Sequence, residues 1–154
     1  MAIAEHCAQY ERATASLLDL VSHVEPADLD RHVDGGWSAR QIIHHLADSE
    51  TNASVRLRRL RAEPAGTLIQ GYDERAWSEC DALGYTTLPI ESALGVFSAV
   101  RRASLDVLGR LSESDLARSG VHSESGRYTI EHWIEIYTRH PREHAEQLLE
   151  AINA

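Results

Sequence analysis

The sequence predicts an all-α fold, a four-helix bundle with one long crossover between the second and third helices. Three observations carry this expectation. Four long segments repeat apolar side chains at the helical period, and no stretch alternates apolar and polar residues as a half-buried strand does. The connection from about Pro64 to Pro89 is too long for a simple turn, and such a connection in a compact domain carries function or structure of its own. The 154 residues, 43% of them hydrophobic, suit one domain over residues 1–154 that buries enough surface to fold without a disulfide or structural metal.

The first helix is expected from about Ala4 to Val21. Cys7, Tyr10, Leu17, Leu18 and Val21 share one face, and the small Thr14 fills the turn between Tyr10 and Leu17. A loop follows, ended by Gly35 and Gly36. The second helix opens at Ser38, where Ser38 and Gln41 form an S-x-x-Q capping box, and it ends near Glu63. Ile42, Leu46, Ala53, Leu57 and Leu60 make its apolar stripe. Within the crossover, residues 72–79 suit a short helix. The third helix runs from about Pro89, a residue suited to a first helical turn, to Leu111, with Ile90, Leu94, Phe97, Val100, Val107, Leu108 and Leu111 inward. The next connector has room for one helical turn at residues 112–117. The fourth helix begins at the N-cap Thr129 and continues to about Ile152, with Pro141 inside it; a proline there removes one N–H, frees the carbonyl of Tyr137 and should kink the helix mildly.

Composition narrows the function. Formal net charge is −9, and all 15 basic residues are arginine. Nucleic-acid binding draws on clustered basic side chains that neutralise phosphates, so a DNA or RNA partner is not expected. No run approaches the length of a membrane span, and the first residues, with early acids and no apolar core, do not read as a signal peptide. Cys7 and Cys80 are far apart and form no CxxC, which suits free thiols in a reducing cytosol. The expected location is the cytoplasm.

The nine histidines sort by helical angle. With Trp133 at zero, His140 falls near about −20° and His144 near about 20°, both inside the apolar stripe, while His132 falls near about −100° and points away. On the second helix His45 lies about 80° from the stripe centre and borders the core, whereas His44 lies almost opposite and should face solvent. His6, His23, His32, His44, His122 and His132 are assigned to surface or loop, with His122 the one most worth checking. Two imidazoles one turn apart on an apolar stripe must each be desolvated and hydrogen-bonded, and would repel if both were charged. A shared metal resolves this, and His45 supplies a third ligand. Three protein ligands with an open position are the pattern of a catalytic zinc site, and zinc and nickel both suit imidazoles. The expected cofactor is therefore one divalent ion, zinc or nickel. The HExxH arrangement is absent, because Pro141 follows His140, and Glu143 reads as a solvated charge. Gln147, one turn beyond His144, is either placed to orient that imidazole or a simple surface residue. Tyr72, Asp73 and Trp77 are candidates for covering the metal mouth, against the alternative of local loop packing. Arg40 is either a contact for a substrate carboxylate or a solvated surface residue.

Three stretches, GGWSARQIIHHLADSE, GYDERAWSE and GVHSESGRYTIEHW followed by RHPREHAEQL, together resemble the DinB-like/YfiT family of small four-helix-bundle metalloproteins, over nearly the whole chain. The resemblance implies a metal held at His45, His140 and His144, with the adjacent His44 leaving a one-residue question of register. It implies a metal-dependent enzyme, since family members are described as metal-dependent hydrolases. Some relatives transfer low-molecular-weight thiols such as bacillithiol, mycothiol or glutathione, and one branch isomerises maleylpyruvate with mycothiol. The leading expectation is transfer of such a thiol to an electrophilic small molecule, the metal lowering the pKa of the bound thiol. The second is hydrolysis, with the metal activating water. The third is a non-catalytic stress-response protein that binds a metal or small ligand. The catalytic group is unassigned beyond metal-bound water or thiolate. The expected partner is a small-molecule substrate, with no nucleic acid and no membrane; a homodimer is left open.

Overall fold

The computed structural model describes residues 1–154. In chain order the elements are α1 (Ile3–Ser22), α2 (Ala39–Ala62), β1 (Leu68–Ile69), α3 (Glu74–Glu79), α4 (Glu91–Leu108), β2 (Ser119–His122), β3 (Gly126–Thr129) and α5 (Ile130–Ile152), with single 3-10 turns at Pro26–Asp28, Asp81–Leu83 and Glu113–Asp115. The four long helices form the bundle. α2 packs against both α4 and α5, and α1 packs against α5 and, more lightly, α4. No helix is long and apolar enough to cross a membrane.

Local chemistry sets the ends of α2 and α5. At α2 the Gln41 N–H donates to Ser38 Oγ at 3.2 Å and the Ser38 N–H donates back to Gln41 Oε1 at 2.9 Å, so both halves of the capping box form. At α5 Thr129 Oγ1 accepts the His132 N–H at 3.0 Å. Pro89 precedes α4 and lies outside it. That helix starts at Glu91 and stops at Leu108, shorter at both ends than the pattern predicts, with Gly109 as its C-cap. α5 runs unbroken through Pro141.

The expectation that no strand occurs is corrected. β1, β2 and β3 form one sheet in that order, β1 parallel to β2 and β2 antiparallel to β3. Strands of two and four residues are too short to print a period-2 pattern. The sheet ties the crossover to the last connector. Its close approach requires Gly120, where a Cβ would meet Thr67 O at 2.5 Å and Ile69 Cγ1 at 2.8 Å.

The apolar interior divides into two clusters. One gathers Tyr10, Ala53, Leu57, Leu108, Trp133 and Tyr137. The other gathers Leu17, Ile42, Leu46, Phe97 and Leu148. Along each long helix a polar side chain falls between members of the two: Thr14 on α1, Glu50 on α2, Arg101 on α4, and His140 and His144 on α5. A polar layer therefore crosses the bundle between two apolar blocks. His6, expected at the surface, is buried, because it precedes Tyr10 by one turn on the inward stripe of α1.

Candidate metal centre

α2 and α5 bring His45, His140 and His144 together. One ring nitrogen from each lies within 4.8 Å of the others. His140 Nε2 and His144 Nε2 are 3.1 Å apart. The rings meet edge-on, with centroids 4.7 Å apart for His45 and His144 and 4.5 Å apart for His140 and His144. His45 is 1% exposed and packs on Trp37 at 4.8 Å.

The electrostatics keep two of these rings neutral. Burial, and then the neighbouring imidazoles His144 and His140, pull the His45 pKa down to about 3. Burial and His140 pull His144 down to about 4, against a partly compensating bond to Gln147. Gln147 Oε1 lies 2.8 Å from His144 Nδ1. With the amide oxygen facing the ring, Nδ1 is the donor, and Nε2 is left as a lone pair beside His140. His45 Nδ1 and His140 Nδ1 are buried with no hydrogen-bond partner. Imidazole nitrogens that converge from three side chains, two of them held neutral, are the donor set of a divalent transition metal, so the residues fit such an ion.

His44, placed in solvent by its helical angle, is instead buried. Its Nε2 donates to Leu88 O at 3.2 Å, and its ring stacks on Tyr85 at 5.8 Å. The crossover folds over this side of α2, which the periodicity of α2 alone does not report. His44 is not part of the cluster. His122 is likewise corrected from loop to a buried residue of β2, accepting the Glu124 N–H at its Nδ1. His23, His32 and His132 are exposed.

Beside His140 opens a cavity of about 300 Å³, lined among others by Ser49, Arg56, Tyr72, His122, Tyr128 and Tyr137. Arg56 Nη1 donates to the Tyr137 hydroxyl at 2.8 Å, and its Nε and Nη2 to Gln70 O. Burial pushes the Tyr72, Tyr128 and Tyr137 phenols up, so they stay protonated. Burial and then Arg56 lower His122. Of the crossover candidates, Tyr72 lines this cavity. Trp77 packs on Tyr72 with centroids 4.6 Å apart, and Asp73 caps α3 by accepting the Ala76 N–H at 2.9 Å. Arg40 is engaged by Asp30 at 2.7 Å and by Leu88 O.

Sequence reasoning missed Glu50 and Arg101, which are both buried and form an ion pair at 2.9 Å. Each sits among the apolar positions of its helix, and a charged residue inside a stripe was the available signal.

A helical bundle whose core holds a converging set of imidazoles defines the class of small bundle proteins built around a metal-type centre. The chain belongs to the DinB superfamily, whose model matches residues 9–148. A protein of Oceanobacillus iheyensis, provisionally named a metal-dependent hydrolase, is 41% identical over 71% of this chain and 62% of its own length. One of Bacillus mycoides with the same provisional name is 31% identical over 74% of this chain and 64% of its own. The chain thus spans somewhat less than two thirds of these relatives. Among solved structures, YfiT from Bacillus subtilis, described as a probable metal-dependent hydrolase with an unusual four-helix bundle topology, superposes with a TM-score of 0.87 at 27% identity, covering 98% of this chain and 86% of that one. TT2238, a four-helix bundle protein, superposes with a TM-score of 0.67 at 21% identity over 96% of this chain and 98% of that one, a likeness of fold.

Proposed function

We propose that this protein is a metal-dependent enzyme in which His45, His140 and His144 hold one divalent ion, zinc or nickel, and which transfers a low-molecular-weight thiol to an electrophilic small molecule. The observation that carries the metal assignment is the convergence of three buried or half-buried imidazoles within 4.8 Å. A divalent ion there supplies positive charge that lowers the pKa of a protic group entering the remaining coordination position.

The chain's own residues prepare that position. Gln147 fixes the His144 tautomer. Trp37 closes one side of His45. The cavity beside His140 is lined by Arg56 and phenols together with the carboxylates of Glu74 and Glu124, which suits a polar substrate carrying both donors and acceptors. Thiol transfer is preferred over hydrolysis because it asks less of a general base. Glu50 is paired with Arg101, Asp48 accepts from the Tyr85 hydroxyl at 2.7 Å, and Glu143 pairs with Arg139 at 2.7 Å, which leaves Glu74 and Glu124 as the acids lining the cavity beside His140. Hydrolysis needs a base to take a proton from water, whereas a thiol is far more acidic and needs less help. Hydrolysis is the second reading, favoured by the names of the relatives.

The test is elemental analysis of stripped and reloaded protein, followed by parallel assays. Wild type should hold about one ion per chain, and His140→Ala and His144→Ala far less. Equal binding by both variants sinks the assignment. Loaded protein should conjugate a cellular thiol to a model electrophile. Ester or amide hydrolysis without conjugation selects the second reading.

A further inference from the structure

The Glu50 carboxylate is 1% exposed, and its Oε1 lies 3.5 Å from His140 Nδ1, a buried nitrogen with no hydrogen-bond partner. From the other side Arg101 Nη1 donates to the same oxygen at 2.9 Å. Arg101 is also 1% exposed, and it is the centre of the polar layer. Its Nε donates to Thr14 Oγ1 at 2.6 Å, its Nη2 to Tyr10 O at 3.1 Å, and its guanidinium lies 3.6 Å from the Tyr10 ring centroid. Its Nη1 further donates to Tyr137 O at 2.8 Å. Tyr137 stands four residues before Pro141, so this carbonyl is the one that the proline deprives of its helical donor.

A buried ion pair is a poor device for holding helices together. Apolar residues of similar volume often do so equally well or better, because both charges lose their hydration. The placement of this pair against a candidate metal ligand gives it another use. We infer that Arg101 and Glu50 are positioning residues for His140. Glu50 Oε1, 3.5 Å from His140 Nδ1, holds the hydrogen on that nitrogen by its charge and so fixes the tautomer that turns the Nε2 lone pair toward His144 Nε2, as Gln147 does through a hydrogen bond for the other ring. Arg101 holds the carboxylate in place. By taking the freed Tyr137 carbonyl it also keeps α5 continuous across Pro141, so the two imidazoles stay one turn apart and aligned. This inference rests on the metal reading above.

The variant Glu50→Leu/Arg101→Met removes both buried charges and keeps most of the volume. It is compared with wild type by far-ultraviolet circular dichroism, by zinc affinity in competition with a chromophoric chelator, and by long-range proton–nitrogen NMR of the imidazoles in metal-free protein. The helical signal should persist. Zinc affinity should fall about 10- to 100-fold. His140 should lose its uniform Nδ1–H tautomer, while His144, held by Gln147, keeps it. Zinc affinity within roughly twofold of wild type, together with an unchanged His140 tautomer, overturns the inference. If the double variant does not fold, Glu50→Asp keeps a counter-ion for Arg101 and withdraws the carboxylate by one methylene, and the same affinity and tautomer readouts decide. If wild type binds no zinc, the metal reading fails by itself, and the His140 tautomer in metal-free protein still decides the role of Glu50.

Discussion

Trp133, at the centre of an apolar block, and Arg101, at the centre of the polar layer, are equally buried, but the two regions are held together differently. In the first, Leu57, Leu108 and Trp133 fill space against one another, and the indole N–H, the one polar atom of that side chain, donates to Ala53 O at 2.8 Å. Its stability follows buried area and close packing. In the second, Arg101 satisfies its donors on α1, α2 and α5 at once, and each partner depends on the others. Removing an atom from the block leaves a cavity. Removing one from the layer leaves a buried charge or carbonyl without a partner, which costs more per atom. The layer is also where the imidazoles sit, so the least apolar part of the interior is the part available for chemistry.

Arg101→Ala is the largest expected perturbation. It strands Glu50 and the Tyr137 carbonyl together, and should lower stability by about 3–5 kcal/mol, read as a shifted midpoint in urea unfolding, with weaker zinc binding in whatever protein remains folded. A loss under about 1 kcal/mol would mean that water or a shifted side chain takes over these contacts, and the contrast between layer and block would fail. Leu57→Ala tests the other side. It should cost about 2–5 kcal/mol by transfer and cavity formation, while zinc affinity at the distant histidines stays as in wild type. Weakened zinc binding in this variant would show that the two regions are not separable.

Much of this architecture is legible in the sequence, because the helical period persists over many turns in α1, α2, α4 and α5, and because S-x-x-Q and Thr129 mark two helix starts. The sheet was not legible, since its strands contribute too few residues for a period, and the pairing of β1 with β2 joins segments far apart in sequence. The convergence of His45, His140 and His144 follows from helical angles. The same angles misplace His44, because what buries it is the crossover, whose path no local pattern encodes. Glu50 and Arg101 lie about 60° and 50° from the centres of their stripes, nearer than His45 lies to its own. They went unread because a charge near an apolar stripe is ordinarily taken as its solvated edge. Only the facing of α2 and α4 shows that the two charges answer each other.

The pH dependence of the metal-free protein sharpens the comparison further. His45 and His144 have folded pKa values lowered to about 3 and about 4, against an ordinary 6.5. As pH falls through about 6.5 the unfolded chain takes up protons that the folded rings refuse, so stability drops, and the drop levels off once the folded rings protonate near pH 3 to 4. Urea midpoints of metal-free wild type should therefore decline between about pH 7 and pH 5, and the decline should shrink in His45→Ala/His144→Ala. Parallel curves for the two proteins would show that these rings are not held neutral by burial.

The smallest effect separates two adjacent residues of α2. His44 and His45 are both buried, but His45 joins the cluster, whereas His44 pins the crossover through Leu88 O and Tyr85. His44→Ala removes one hydrogen bond and one ring contact, while the Leu88 carbonyl, near the surface, still accepts from Arg40 at 3.1 Å. The expected cost is therefore modest, about 0.5–1.5 kcal/mol. Zinc affinity should be unchanged within roughly threefold, whereas His45→Ala, which removes one of three ligands, should bind at least about 100-fold more weakly. Isothermal titration of the two variants decides the matter. Equal losses, or a loss confined to His44→Ala, would place the centre one residue away along α2 and detach it from the face that His140 and His144 share.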